Sequence, residues 1–138
     1  MATTDVAVLI GSLRRASLTR KIAHNLIARS PEMLKLEIVE IGDLPLYNQD
    51  LEAAAPPAWS AFRARMRAMQ AVLFVTPEYN RLVPAALKNA IDVGSRPHVD
   101  SVWRGKPCAI VSVSPGARAA LAPITTCVIP WFISTCRR

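Results

Sequence analysis

The chain has 138 residues, of which 51% are hydrophobic and 20% charged, and its formal net charge is +7. These values fit one globular domain with a single core. They exclude a transmembrane helix, because no apolar run approaches the roughly 18 residues that such a helix needs. The start, M-A-T-T-D, lacks the basic and apolar segments of a signal peptide, so we expect a cytoplasmic protein.

The cysteine and charge patterns argue against metal and nucleic acid. Cys108, Cys127 and Cys136 show no C-x-x-C spacing and have no neighbouring histidine, so we expect unpaired, reduced thiols and no metal site. The basic residues are scattered, and no aromatic residues alternate with them. A net charge of +7 is compatible with a nucleic acid or an anionic ligand, but this scattered pattern signals a nucleic-acid surface only weakly, and no nucleic-acid partner is expected. No membrane partner is expected.

The first recognisable element is the apolar run V-A-V-L-I at residues 6–10, which ends abruptly at Gly11. A short continuous apolar segment bounded by glycine is typical of a strand buried on both faces, as in a parallel sheet. A helical pattern follows over residues 17–29. It stops before Pro31, because the residue ahead of a proline is pushed out of the helical region.

The loop between this strand and helix contains two serines and two arginines, Ser12, Arg14, Arg15 and Ser17. A strand, a short polar loop and a helix together aim free backbone N–H groups at an anion, and the arginine fork suits a phosphate. The loop has neither the G-x-G-x-x-G spacing nor the Gly-Lys-Ser/Thr ending of common nucleotide-binding loops. Two interpretations therefore stay open: the loop binds phosphate, or Ser17 or Thr19 only caps the helix.

The chain then alternates strands and helices. Further strands are predicted at 34–41, 71–75 and 106–113, and further helices at 58–69 and 84–93. On the helix at 58–69, Arg63, Arg65 and Arg67 are expected mainly on the exposed face. The order β-α-β-α-β-α-β predicts a parallel sheet with helices on both faces. Ligands of such sheets bind at the carboxyl ends of the strands, where the polar loops after the first, third and fourth strands converge.

Six short motifs occur in the order and at the spacing of a known family. They are G-S-L-R-R-A-S at 11–17, D-L-P-L-Y-N at 43–48, T-P-E-Y-N-R at 76–81, L-K-N-A-I-D at 87–92, G-K-P at 105–107 and S-P-G-A at 114–117. Through them the chain resembles the NADPH-dependent FMN reductase family, the flavodoxin-like quinone and chromate reductases. The resemblance covers Val6 to about Ala117. It implies an α/β fold, a flavodoxin-like open parallel sheet with helices on both faces.

The resemblance also implies where a flavin would bind. Its phosphate would be held by Ser12, Arg14, Ser17 and Thr19, the last standing where the family usually has asparagine. Its isoalloxazine ring and ribityl chain would lie along the backbone of Pro77, Glu78, Tyr79 and Asn80. Its other side would be closed by Ser114 and Gly116.

By the same resemblance, hydride would pass from NADPH or NADH to bound FMN and on to a small-molecule electron acceptor. That acceptor would be a quinone, a free flavin, an azo dye or a metal oxyanion such as chromate. The cofactor carries the chemistry in such enzymes and the protein orients it, so no catalytic side chain is nominated. The family assembly is a homodimer or homotetramer, and the altered C-terminal segment bears on whether this chain can form it.

After Ala117 the motifs of the family are no longer found. Pro123 and Pro130 interrupt the segment, and Ile124, Val128 and Ile129 crowd between them, whereas family members continue with a glycine-rich turn, a helix, a fifth strand and a last helix. Permitted codons for this segment, read in a shifted frame, spell a continuation of the family type, so we expect a frameshift near Ala117. The chain then divides into an incomplete flavodoxin-like FMN-binding domain at 1–117 and an atypical tail at 118–138, without the fifth strand and last helix. The alternative to a reductase is a non-catalytic remnant or mononucleotide-binding module with weak or no FMN binding.

Overall fold

A computed structural model describes residues 3–114 of the chain. Within them, parallel strands alternate with α-helices as the sequence predicts. The strands are β1 (Thr4–Ile10), β2 (Leu34–Ile38), β3 (Ala71–Pro77) and β4 (Cys108–Val113), and the α-helices are α1 (Leu18–Ala28), α2 (Pro57–Ala68) and α3 (Ala85–Gly94). Two short 3-10 helices in the connections, Gln49–Ala54 and His98–Asp100, are not evident from the sequence pattern.

The strands form one sheet in the order β2-β1-β3-β4, and every neighbouring pair is parallel. Val8 of β1, for example, lies opposite Ile38 of β2 and Leu73 of β3. The strand order changes direction after β2, so β1 and β3 lie side by side at the centre. That point opens a crevice at the carboxyl ends of the two central strands, where sheets of this type bind their ligands. The predicted flavodoxin-like fold class is confirmed.

Both faces of β1 are buried, because successive side chains of a strand point to opposite sides of the sheet. Ala7 and Leu9 belong to the larger core cluster, under α2 and α3. Val8 and Ile10 pack into a smaller cluster with Ala23 of α1. All five side chains are at most 3% exposed. This two-sided burial is the reason that the strand appears in the sequence as an uninterrupted apolar run.

The bounds of α1 differ from the predicted ones by a single residue at each end. Ser17 is the N-cap, and its side chain accepts a hydrogen bond of 3.1 Å from the backbone N–H of Arg20. Strand β2 is shorter than predicted, since its pairing ends at Ile38. Val39 and Ile41 are nevertheless buried, because they follow the strand into the core as part of the loop.

Arg63 of α2 is buried, so the prediction that it lies on the exposed face is wrong. It is only 6% exposed. Its Nε donates to the carbonyl of Val93 at 2.8 Å, and its Nη2 lies 2.8 Å from Glu52. The guanidinium also lies over the ring of Trp59, 5.5 Å from its centroid. A flat group with five donors can satisfy these partners together, which makes its burial tolerable. The two later arginines of α2 are exposed, as predicted.

Several predictions fall on residues that the structure does not describe. Gly116, Cys127, Cys136 and the tail at 118–138 lie outside residues 3–114. Cys108 is a free, half-buried thiol, and burial raises its pKa. Across residues 3–114, no helix is long and apolar enough to cross a membrane. The same described range brings together no group of His, Cys, Asp and Glu side chains suited to a metal ion.

Candidate functional site

A pocket of about 200 Å³ opens at the carboxyl ends of β1, β3 and β4. Three segments converge on it: the loop between β1 and α1, the loop after β3, and the end of β4. Its lining residues are Ser12, Arg14, Ser17, Leu18, Thr19, Pro77, Glu78, Tyr79, Val113 and Ser114. The structure therefore brings together all the predicted cofactor-binding residues that it describes, with the exception of Asn80.

Three buried hydroxyl side chains form the inner wall of the pocket. Ser12, Ser17 and Thr19 are 3%, 4% and 1% exposed, and we call them the hydroxyl cradle. The hydroxyl of Thr19 donates to Ser17 Oγ at 3.3 Å, and the backbone N–H of Arg20 donates to the same oxygen at 3.1 Å. Because Ser17 accepts in both contacts, its own O–H can donate to an anion in the pocket. The Ser12 Oγ accepts from the backbone N–H of Arg14 at 3.4 Å.

The N-terminus of α1 and one arginine add positive potential at this wall. The first turn of the 11-residue helix borders the pocket through Leu18 and Thr19. Backbone N–H groups at a helix start carry a partial positive charge and bind anions. Arg14 lines the same pocket while remaining exposed, so it can supply a full charge and a planar pair of donors. Together with the hydroxyl cradle, this donor set suits a phosphate monoester.

Arg20, next to the hydroxyl cradle, is engaged outside the pocket. Its two terminal nitrogens donate to the Glu40 carboxylate at 2.8 and 2.9 Å. These hydrogen bonds raise the pKa of Arg20 and lower the pKa of Glu40. The pair fastens the start of α1 to the segment after β2, and it leaves Arg14 as the arginine that lines the pocket.

A tight turn after β3 carries Tyr79 to the pocket. The backbone N–H of Tyr79 donates to the carbonyl of Leu82 at 2.9 Å, and the N–H of Leu82 donates back at 3.0 Å. The tip residues Asn80 and Arg81 have φ angles of 51° and 67°. The Tyr79 hydroxyl lies 3.5 Å from Ser12 Oγ. Asn80 does not line the pocket as the resemblance implied, because the turn places it at the exposed tip.

Gly11 allows the end of β1 to lie close to β3 and α3. A Cβ at this position would lie 2.4 Å from Thr76 Oγ1 and 3.3 Å from a methyl carbon of Leu87. The Gly11 N–H also donates to the carbonyl of Val75 at 2.9 Å. Glycine in a strand or at its end commonly marks such a close approach of backbone. The apolar run of β1 is therefore followed, directly after Gly11, by Ser12 of the pocket lining.

Two apolar residues, Leu18 and Val113, line the pocket without having been predicted. Neither carries a group that signals binding chemistry. Leu18 is 53% exposed, and its position at the start of α1, next to the cap Ser17, places it at the pocket. Val113 ends β4, and only the strand register places it beside the loop from β1.

The motif at 43–48 is held by Asn89 and does not line the pocket. Asn89 is 7% exposed, and its Oδ1 accepts from the Tyr47 N–H at 2.8 Å. Its Nδ2 donates to the carbonyls of Leu44 and Pro45, both at 3.1 Å. The Tyr47 ring stacks on Trp59 at a centroid distance of 5.4 Å. Asn89 therefore fixes the loop after β2 against α3.

Comparison with known proteins assigns the family. The family model for NADPH-dependent FMN reductases matches residues 4–127. The chain belongs to this family. A quinone reductase of Pseudomonas putida is 65% identical over 114 residues, which are 82% of this chain and 61% of that protein. A 2-hydroxy-1,4-benzoquinone reductase of a Burkholderia species is 46% identical over 112 residues, again 61% of its own length.

Among solved structures, the flavoenzyme NAD(P)H:(acceptor) oxidoreductase FerB of Paracoccus denitrificans superimposes with a TM-score of 0.89 at 38% identity. The match covers 96% of this chain and 73% of FerB. The chain spans about three-fifths of the length of the curated relatives named above. The match to the family model continues to residue 127, whereas the two curated relatives align over 114 and 112 residues of the chain.

Proposed function

We propose that the chain carries the FMN site of an NAD(P)H-dependent oxidoreductase that reduces quinones. The observation that carries the proposal is the hydroxyl cradle, joined by Arg14 and the start of α1 in one pocket. Ser12, Ser17 and Thr19 are almost fully buried at the carboxyl ends of parallel strands, where nucleotides bind in this fold. The quinone reductase that is 65% identical supports a quinone as electron acceptor.

The donor set of the pocket fits the phosphate end of FMN. Buried hydroxyls, helical N–H groups and an arginine fork are the groups that hold phosphate monoesters. The cavity of about 200 Å³ is smaller than the ~300–1,000 Å³ typical of sites for drug-sized ligands. The described residues therefore enclose the phosphate end, and the larger ring would lie at the mouth, against the backbone of Pro77–Tyr79 and Ser114.

Bound FMN would supply the redox chemistry, accepting hydride from NADPH or NADH and passing two electrons to a quinone, which takes up two protons. The residues of the chain then have binding and orienting roles. The hydroxyl cradle and Arg14 anchor one end of the cofactor, and the loop after β3 borders the other. Chromate, azo dyes and free flavins are further acceptors within the same proposal. The proposal also includes a cytoplasmic location and assembly into a homodimer or homotetramer.

The test is an absorbance scan of the purified chain, with and without added FMN. Flavin bands that shift on binding, bleach with NADPH under nitrogen and return with a quinone are the expected result. Arg14→Gln should weaken FMN binding, whereas Arg29→Gln should leave it unchanged. Arg29 is also exposed, but it lies at the far end of the 11-residue helix α1, about 17 Å away. Equal affinities of the two variants would contradict the assigned pocket.

A second candidate function is a mononucleotide-binding remnant without reductase activity. It is favoured by the state of β4, which is the edge of the sheet over the described residues and has no fully buried side chain. An exposed apolar edge strand is also an aggregation hazard. Protein that binds FMN but does not bleach with NADPH would support this candidate over the reductase. Protein that ignores FMN altogether would contradict both.

A frameshift near Ala117 is proposed for the segment that follows. The sequence broken by Pro123 and Pro130, with Ile124, Val128 and Ile129 between them, departs from the family pattern, and permitted codons in another frame restore it. Sequencing the coding DNA tests the proposal directly. A gene with no continuation of the family type in either alternative frame would refute it.

A further inference from the structure

Tyr79 joins the loop after β3 to the hydroxyl cradle. The residue lines the pocket and is 44% exposed, so it lies at the mouth rather than in the core. Its hydroxyl is 3.5 Å from the Oγ of Ser12, which is only 3% exposed. The phenol thus reaches across the opening toward the phosphate-binding wall, although the two residues are 67 positions apart in the chain.

The turn that follows Tyr79 fixes this direction. Asn80 and Arg81 both have positive φ, at 51° and 67°, which is the requirement of a type I′ turn. Asparagine tolerates this region, whereas an arginine there is uncommon and strained. Two backbone hydrogen bonds between Tyr79 and Leu82 close the turn. Backbone strain of this kind is found preferentially at functional sites, where it positions a side chain.

The contact between the Tyr79 hydroxyl and Ser12 Oγ is weak enough for an anion to replace it. At 3.5 Å the two hydroxyl oxygens are at the outer limit of hydrogen bonding. A phosphate oxygen between them would accept from both hydroxyls in shorter, charge-assisted bonds. Ser12 already accepts from the Arg14 N–H at 3.4 Å, so its own proton can be directed to such an anion.

We infer that the Tyr79 hydroxyl closes the hydroxyl cradle over the terminal phosphate and so selects phosphorylated flavin over riboflavin, an inference that rests on the proposed function. Riboflavin offers the same ring and ribityl chain but no phosphate to meet Tyr79 and Ser12. The selective group is the phenolic O–H alone. The ring of Tyr79 would contact either flavin equally.

The experiment compares the Kd values of FMN and riboflavin, measured by fluorescence titration, for the wild-type chain, Tyr79→Phe and Tyr47→Phe. Tyr79→Phe should raise the Kd of FMN about tenfold, or about 1.4 kcal/mol, and leave the Kd of riboflavin unchanged. Tyr47→Phe is the matched control, because Tyr47 stacks on Trp59 away from the pocket lining. Inorganic phosphate, used as a competitor of FMN, should likewise inhibit about tenfold more weakly in Tyr79→Phe.

Each other outcome contradicts a stated part of the reasoning. An equal rise in both Kd values would mean that the Tyr79 hydroxyl contacts the flavin ring or the ribityl chain, or that it supports the fold. It would overturn the role in phosphate binding. Unchanged Kd values would overturn it as well, while the FMN site itself would stand. A wild-type chain that binds riboflavin as tightly as FMN would refute selection by phosphate. A wild-type chain that binds neither flavin would refute the proposed function and this inference together.

Discussion

Replacing Ser17 with aspartate should weaken FMN binding strongly without unfolding the chain. Ser17 caps α1 by accepting from the Arg20 N–H, and aspartate is an equally good N-cap beside the positive helix end. The same carboxylate, however, would lie in the pocket wall where the phosphate is proposed to bind. Two like charges about 4 Å apart repel by about 4 kcal/mol at an effective dielectric constant near 20, which is roughly a thousandfold in Kd.

Because the pocket is open to solvent, we take about a hundredfold loss of FMN affinity as the minimum. Fluorescence titration gives the Kd, and thermal unfolding should show a Tm within a few degrees of wild type. Ser60→Asp adds the same charge at an exposed position of α2 and should leave both values unchanged. Ser17→Asn keeps a neutral cap and should lose much less affinity. Full FMN affinity in Ser17→Asp would refute the phosphate site and leave Ser17 as a helix cap alone.

Three further predictions concern the framework of the site. Gly11→Ala should lower the free energy of unfolding by about 1–3 kcal/mol in urea, since its Cβ would lie 2.4 Å from Thr76 Oγ1; an unchanged midpoint would contradict the close approach. Asn89→Leu should cost about 2–4 kcal/mol in the same assay, because it removes the hydrogen bonds to the loop after β2. Hydrogen bonds from Arg20 hold the pKa of Glu40 below its ordinary value of 4.5. The pair therefore stabilises the fold above about that pH and is lost as the pH falls through the lowered pKa. Glu40→Gln should flatten this acid limb of the stability curve, by no more than about 1 kcal/mol for so exposed a pair.

The elements of the fold could be predicted because their signals are local. The apolar run that ends at Gly11 indicates that β1 is buried on both faces. Ser17 indicates the start of α1, because a serine cap acts within the first turn of its own helix. The burial of Arg63 could not be predicted in this way. It depends on Glu52 in a 3-10 helix and on a carbonyl at the end of α3, Val93, and a helical pattern within α2 contains neither partner.

The site shows the same division between local and distant information. The residue types of the loop at 12–17 left open whether it binds phosphate or only caps the helix, and the structure adds which hydroxyls are buried at the pocket. The approach of Tyr79 to Ser12 crosses 67 positions and depends on positive φ angles at Asn80 and Arg81. An Asn-Arg pair does not predict a type I′ turn, whereas an Asn-Gly pair would. The family resemblance therefore named Tyr79 as a cofactor-binding residue through its backbone, and it gave no indication of which way the Tyr79 hydroxyl points.

The strands that support the two ends of the proposed cofactor site differ in how deeply they are buried. The phosphate end is built by loops that leave β1 and β3, the central strands, whose side chains are buried on both faces of the sheet. The ring end would border Val113 and Ser114, beside β4, which is the edge of the sheet within residues 3–114 and has no fully buried side chain. Local opening is easiest where few apolar contacts hold a segment. The free-energy cost of ordering the site on cofactor binding should therefore arise mainly at the ring end. Binding should consequently depend more on the phosphate than on the ring, and this is the reason that FMN and riboflavin are the ligands to compare.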